Sequence, residues 1–215
     1  MKFIVITLFI AIAFAMCEHR DIIGKDLITP KLAQCLAGKH ALAALVAFTN
    51  DGKFNFNSLK NGAYLRGAGF RSDDIEFIFR PCVTCGNIGG QLQTYKVRTE
   101  DLPHHGVILE IREGQWSSDK TLNQQTFNEL MGATINLGEP IMILTGKEEW
   151  SNIFGADYTH PLAVHYPLIY IGNEQETFDD FVPFAGWTKP TEKAKNVPVA
   201  VCDASIKQTL RRCDY

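Results

Sequence analysis

The apolar positions along this chain follow two different periods, one typical of buried strands and one typical of helices. Short apolar runs bounded by polar or glycine-containing segments predict the strands. They lie at 21–23, 41–49, 75–79, 106–116, 140–144 and 166–171, with up to two more short strands after Pro183. The run 41–49 is rich in alanine, so its pattern is also compatible with a helix.

Capping residues and helical spacing predict helices between these strands. Thr29 and Pro30 supply an N-cap and a first-turn proline for a helix at 31–37, which Gly38 ends. The strongest helical pattern spans 121–137. Further helices are predicted at 57–68, 92–102 and 147–154, and a glycine-rich loop at 82–90.

Strands and helices alternate about five times, with roughly 30 residues per unit, and the late strands lack helices. This order is typical of βαβ crossovers and of a mainly parallel sheet. The sequence therefore predicts an α/β fold, and the number of units favours a barrel over an open sheet. No glycine-rich dinucleotide or phosphate loop follows a strand, which argues against a nucleotide enzyme, and no cofactor is expected.

The strand predicted at 106–116 carries charge at its carboxyl-terminal end. A period of two places Ile108, Glu110 and Arg112 on one face and Leu109 and Ile111 on the other. Charges in such a strand are costly unless they are paired or near water. In barrels of alternating strands and helices, that end is where sites are built.

The first residues have the form of a secretory signal peptide. Met1 and Lys2 precede an apolar run at 3–16, which is short for a membrane span. We predict a signal peptide at 1–17, cleaved after Ala15 or Cys17, and a mature domain at 18–215; a membrane anchor is the alternative. Without Lys2, 20 basic and 24 acidic residues remain of the 21 and 24 in the chain. A net charge near −4 does not favour binding to nucleic acid or an anionic membrane.

The cysteines agree with an oxidising compartment. Disulfide formation is more probable there than metal ligation, and no metal site is expected. The pair Cys82 and Cys85 is predicted to form a small structural disulfide rather than a redox motif, because 86–90 is a poor helix start. The candidates for disulfides are Cys35, Cys82, Cys85, Cys202 and Cys213.

Six motifs follow one another along the chain. They are Gln34-Cys35-Leu36, Pro81-Cys82-x-x-Cys85-Gly86-Asn87, Trp116, Tyr166-Pro167-Leu168, Gly186-Trp187-x-Lys189-Pro190 and Val201-Cys202. Together they resemble the lysozymes of glycoside hydrolase family 25, in the branch found in nematodes and amoebae. The resemblance covers essentially the whole mature chain. It implies a flattened, TIM-like barrel of about eight strands and five helices, secretion, and peptidoglycan as substrate.

The resemblance makes the strand predicted at 106–116 diagnostic of hydrolase activity. Family members carry Leu-Asp-x-Glu there, in which the Glu protonates the leaving oxygen and the Asp stabilises positive charge on the sugar. This chain has Glu110 at the Asp position and Arg112 at the Glu position. A guanidinium stays protonated at any working pH, so it does not usefully give a proton to the leaving oxygen.

Other positions of this chain also differ from the family pattern. The Asp of the family's last motif falls on Lys207, and the first strand has no matching Asp-x-Ser, although Asp21 or Asp26 could supply a carboxylate. The ring of Trp116 could stack on a sugar or pack in the core. The predicted substrate-binding residues are Asp21, Asp26, Trp116 and Lys207.

The sequence thus predicts a secreted, monomeric, lysozyme-like protein that binds peptidoglycan or another glycan and has lost most or all hydrolase activity. Its setting would be extracellular, lysosomal or the gut lumen. Two alternatives stay open. One is an active muramidase in which a β-bulge turns Glu113 inward beside Glu110. The other is a non-catalytic glycan-binding or signalling protein.

Overall fold

The computed structural model describes residues 18–114 and 116–212. In chain order its strands are β1 (His19–Ile23), β2 (Leu42–Thr49), β3 (Lys53–Phe54), β4 (Ile75–Phe79), β5 (Gly106–Glu110), β6 (Ile141–Thr145), β7 (Leu168–Gly172), β8 (Glu192–Lys195), β9 (Val199–Val201) and β10 (Ala204–Arg211). Its helices are α1 (Pro30–Ala37), α2 (Phe56–Ala68), α3 (Ile88–Thr99), α4 (Lys120–Ile135) and α5 (Lys147–Phe154).

Eight of the strands close into a barrel in the order β1-β2-β4-β5-β6-β7-β8-β10, and β10 pairs back to β1. Seven run parallel, and β10 is antiparallel to both of its neighbours. The predicted α/β barrel with about eight strands and five helices is therefore confirmed. The carboxyl ends of the seven parallel strands meet at one end, called the mouth below, and their amino ends meet at the other, called the base.

Alternation along the strands produces two apolar layers. On β5, Ile108 points into the barrel while Leu109 packs outward against the helices. The outer layer contains large buried rings such as Phe127, Trp150 and Phe154. The inner layer takes about one small or branched side chain per strand: Ala44, Val46, Ile78, Ile108, Leu144, Ile169 and Ala194. This narrow apolar plug separates the mouth from the base.

Side-chain and glycine caps define the ends of these helices. Thr29 Oγ1 accepts a hydrogen bond from the amide of Leu32 at 3.1 Å, so α1 begins where the sequence indicated. Gly69 ends α2 in the left-handed region at φ 114°, which a residue with a side chain adopts only with strain. The alanine-rich run 41–49 forms β2, not a helix.

Three segments differ from the sequence-based expectation. β5 ends at Glu110 rather than reaching residue 116. α3 begins at Ile88, inside the segment expected to be a loop, because the Asn87 side chain accepts a hydrogen bond from the amide of Gly90 at 3.0 Å. β10 is an eight-residue strand that the polar sequence after Ala204 did not reveal.

Four of the candidate cysteines form two disulfides, Cys35–Cys202 and Cys82–Cys85. The first ties α1 to the turn between β9 and β10. Cys213 and the predicted signal peptide at 1–17 lie outside the described residues. Among the residues that are described, the helices are too short or too polar to cross a membrane.

Candidate functional site at the mouth of the barrel

The mouth carries a small groove of about 260 Å³ above the end of β5. A larger groove of about 850 Å³ adjoins it and shares Asn50, Arg80 and Lys207. Loops after β1 and β2 and the start of β10 line the larger groove. The small groove is lined by Asn50, Arg80, Pro81, Glu110, Arg112, Glu113, Trp116 and Lys207.

Glu110 lies between two guanidinium groups. Its Oε2 accepts a hydrogen bond from Arg80 Nε at 2.6 Å, and its Oε1 lies 3.1 Å from Arg112 Nε. The second contact is an ion pair by distance, but the direction of the Arg112 N–H bond does not make it a hydrogen bond. Both oxygens of the one inward-facing carboxylate are thus committed to positive groups.

Arg80 was not among the predicted site residues. It follows β4 directly and shares the face of Ile78, which points into the barrel. Its backbone amide donates to the Phe48 carbonyl at 3.1 Å, which extends the pairing of β2 and β4 to the mouth. The strand alternation that singled out Glu110 would have found Arg80 as well.

Lys207 reaches the mouth from β10, where it is paired in register with Ile22 of β1. It lines both grooves. The residues that the structure describes provide no ion pair or hydrogen bond to its ammonium group. Arg80, Glu110, Arg112 and Lys207 are called the mouth cluster below.

Glu113 lies beyond β5, in a turn completed by Gly114 at φ 108°. It is exposed, and its Oε1 accepts a hydrogen bond from Asn152 Nδ2 at 2.5 Å. Pairing of β5 with β6 is regular from Val107 to Glu110, so β5 has no bulge that turns Glu113 inward. The turn nevertheless leaves its carboxylate on the rim of the small groove.

The tryptophans divide between the groove and the core. Trp116 is half-buried, packs edge-on against Phe154 with ring centroids 4.9 Å apart, and lines the small groove. Trp187 is buried against Trp150, and its indole N–H donates to the Tyr166 carbonyl at 3.2 Å. Of these rings, Trp116 is the one placed to contact a ligand.

The two aspartates proposed for the first strand do not behave alike. Asp21 is fully buried on the outer face of β1, where it accepts a hydrogen bond from Gln208 at 2.7 Å and lies 2.9 Å from His40 Nδ1. It does not reach the mouth, so its assignment as a substrate-binding residue is wrong. Asp26 is exposed on the rim of the larger groove, and its role there stays a prediction.

The mouth offers cationic hydrogen-bond donors around one inward-facing carboxylate, with the Glu113 carboxylate on the rim. Within the described residues no group of three or more His, Cys, Asp or Glu side chains could hold a metal ion. The side chains facing Glu110 are cations, which donate hydrogen bonds and attract anions but do not protonate a glycosidic oxygen.

Comparisons with known proteins find matches among lysozymes. A family model described as lysozyme-like protein 1 matches residues 21–194. The chain is 29% identical over 168 residues to a probable GH family 25 lysozyme 4 of Dictyostelium discoideum, covering 76% of each chain. It is 27% identical over 174 residues to the probable GH family 25 lysozyme 5 of that organism, covering 78% of each.

Solved structures share the fold at low identity. The lysozyme of Streptomyces coelicolor aligns with a TM-score of 0.73 at 10% identity, over 93% of this chain and 94% of that one. A modular autolysin of Streptococcus pneumoniae, solved with a synthetic peptidoglycan ligand, aligns with a TM-score of 0.63 at 9% identity, over 91% of this chain and 47% of that one.

Proposed function

The chain belongs to the lysozyme-like proteins of glycoside hydrolase family 25, and from this premise we propose that it binds cell-wall glycan without hydrolysing it efficiently. The barrel and an open groove at its mouth are retained. The acid that the reaction needs is replaced by Arg112. The protein would therefore act through recognition, in defence against bacteria or in their digestion.

The arrangement around Glu110 is the observation that carries this proposal. Hydrolysis of a glycosidic bond requires a carboxylic acid that protonates the leaving oxygen and a second carboxylate on the other side of the bond. Here the only inward-facing carboxylate of the small groove has Arg80 at 2.6 Å and Arg112 at 3.1 Å. Both oxygens of Glu110 are engaged by guanidinium groups, so neither is free to approach a leaving oxygen.

Peptidoglycan is the first ligand to consider. The Streptococcus autolysin with the same fold was solved with a synthetic peptidoglycan ligand. The two grooves of this chain join at Asn50, Arg80 and Lys207, which gives a continuous surface across the mouth for a glycan strand. Trp116 lines that surface and offers a ring face or edge to a sugar.

Secretion is part of the proposal. The apolar segment at 3–16 and the A-x-A sequence ending at Ala15 support a cleaved signal peptide. The disulfides Cys35–Cys202 and Cys82–Cys85 suit an extracellular, lysosomal or gut-lumen setting. Amino-terminal sequencing of protein recovered from culture medium tests this: a start at Met16 or Glu18 is expected, and retention of Met1 in cell membranes would contradict it.

A turbidity assay on bacterial cell walls tests the loss of activity. The purified protein should clear the suspension no faster than buffer, while the Streptomyces coelicolor lysozyme in the same assay provides the positive control. Glu110→Gln should leave the rate of clearing unchanged. Robust clearing that this variant abolishes would overturn the proposal.

An active muramidase that uses Glu113 is the second candidate, because Glu113 and Glu110 line the same small groove. Glu113→Gln separates the two, since it should abolish clearing only if Glu113 acts as the acid. A pull-down on insoluble peptidoglycan then distinguishes glycan binding from a signalling role: retention supports the first, and no retention on any glycan supports a protein partner.

A further inference from the structure

We propose that the mouth cluster makes this groove selective for acidic glycans, those that carry a carboxylate or sulfate group on the sugar chain. The inference rests on the proposed glycan binding and names the class of glycan that the site prefers. The inference is about a preference for charged ligands. It can therefore be wrong even if the proposed loss of hydrolase activity is right.

Positive groups outnumber carboxylates in the small groove. Arg80, Arg112 and Lys207 line it together with Glu110 and Glu113. The whole chain carries a formal net charge of −3, so this local excess runs against the general charge of the protein. A cationic spot on an acidic protein indicates recognition of an anion at that place.

The cations retain unused hydrogen-bonding capacity. Arg80 donates a hydrogen bond from Nε to Glu110. The described residues offer no hydrogen-bond partner to its two terminal nitrogens. The side chains of Arg80 and Arg112 are 32% and 29% exposed. Arg80 and Arg112 both line the small groove, and a guanidinium can match the two oxygens of a carboxylate or sulfate in a bidentate contact.

Glu110 orients these cations rather than cancelling them. One carboxylate neutralises one positive charge, while two guanidinium groups and Lys207 surround the same groove. Glu113 is drawn to the rim by Asn152. An anionic group that enters between Arg112 and Lys207 would therefore meet a net positive field.

The ring of Trp116 supplies the sugar contact and also a signal. Trp150 and Trp187 are buried, at 1% and 4% exposure, whereas Trp116 is half-buried and lines the groove. Quenching or a shift of tryptophan fluorescence on ligand addition should therefore report on this groove.

The test measures binding of matched oligosaccharides by fluorescence and calorimetry with the full mature protein. The protein is titrated at low and high salt with four ligands: a neutral chitin hexasaccharide, a uronic-acid hexasaccharide, a sulfated hexasaccharide and a soluble muropeptide. Acidic ligands should bind at least about tenfold more tightly than the neutral one at low salt, and the difference should shrink as salt screens the charges. The uronic, sulfated and muropeptide arms show which source of the anion fits best.

Arg112→Gln and Lys207→Gln should each weaken acidic ligands by about tenfold and leave neutral binding nearly unchanged, because each removes one charge-assisted contact. Lys39→Gln is the matched control, since Lys39 is exposed before β2, at the opposite end of the barrel. Equal affinity for neutral and acidic glycans would overturn the preference and leave glycan binding intact. No binding to any ligand would overturn both, and clearing of cell walls would overturn only the proposed loss of activity.

Discussion

The two ends of the barrel carry the same chemical groups in opposite proportions. At the base, the single guanidinium of Arg20 lies 3.0 Å from Glu76 and 3.1 Å from Glu192. At the mouth, a single carboxylate lies between two guanidinium groups. The base cluster, defined as Arg20, Glu76 and Glu192, therefore has an excess of negative charge, and the mouth cluster has an excess of positive charge.

Solvent access separates the two clusters more than their composition does. The three side chains of the base cluster are 1–5% exposed, and Thr209 closes it with a hydrogen bond to Glu192 at 2.6 Å. The guanidinium side chains of the mouth cluster are 29% and 32% exposed, about ten times the 3% exposure of Arg20. Water can solvate the charges of the mouth when a partner is lost, while the base has no such reserve.

Burial also shifts the pKa of Glu76. Desolvation raises the pKa of this carboxyl group to about 7, Arg20 opposes the rise, and the neighbouring charge of Glu192 adds to it. Its Oε2 has no hydrogen-bond partner among the described residues. Within the base cluster, Arg20 is thus the one cation, and two acids share it.

Arg20→Met should give the largest effect. Removing the shared cation leaves two buried carboxylates facing each other, so we expect a loss of about 3–5 kcal/mol in the free energy of unfolding at neutral pH. Urea unfolding followed by circular dichroism measures it. Arg71→Met is the control, because Arg71 forms an exposed pair with Asp74, and little change is expected there. Similar losses in both variants would contradict the structural role of the base.

Glu76→Gln should change how stability depends on pH. The pKa of Glu76 in the folded chain, about 7, lies above the ordinary value of 4.5, so folding favours the protonated form. The stability that this proton provides is fully present below pH 4.5 and is lost as the pH rises through 7. The shift corresponds to at most about 3 kcal/mol. The variant should flatten unfolding free energy against pH over this window.

Glu129→Gln removes a charge from an exposed position on α4 and controls for the change in net charge. The slope between pH 4.5 and 7 should survive in this control. If the slope also survives in Glu76→Gln, the proton responsible resides elsewhere and the base is not the site of the pH dependence.

Much of this architecture could be predicted from the sequence, because local rules decide it. The apolar runs located the parallel strands up to β7 but missed the two-residue strand β3, and alternation placed Glu110 and Arg112 at the mouth. β10 escaped prediction because its polar residues gain their stability from two neighbouring strands and not from a local pattern. Long-range pairing of this kind has no signal in a single sequence.

The partners within the site were harder to predict than its position. Asp21 looked available for substrate, yet it is fully buried against His40 and Gln208, and the latter is 187 residues away in the chain. Arg80 was overlooked although it follows a well-predicted strand. Sequence patterns indicate which face a residue occupies, whereas the identity of its partner depends on how the barrel closes.

Glu110→Gln should give the smallest effect on stability and so sharpens the contrast with the base. Glutamine keeps an oxygen that can accept the Arg80 hydrogen bond, and water can solvate the partly exposed guanidinium groups of Arg80 and Arg112. We expect a change below about 1 kcal/mol in the free energy of unfolding, measured in the same urea titrations. A loss as large as that of Arg20→Met would mean that the mouth cluster maintains the fold, and the cations there would then not be free to recognise a ligand.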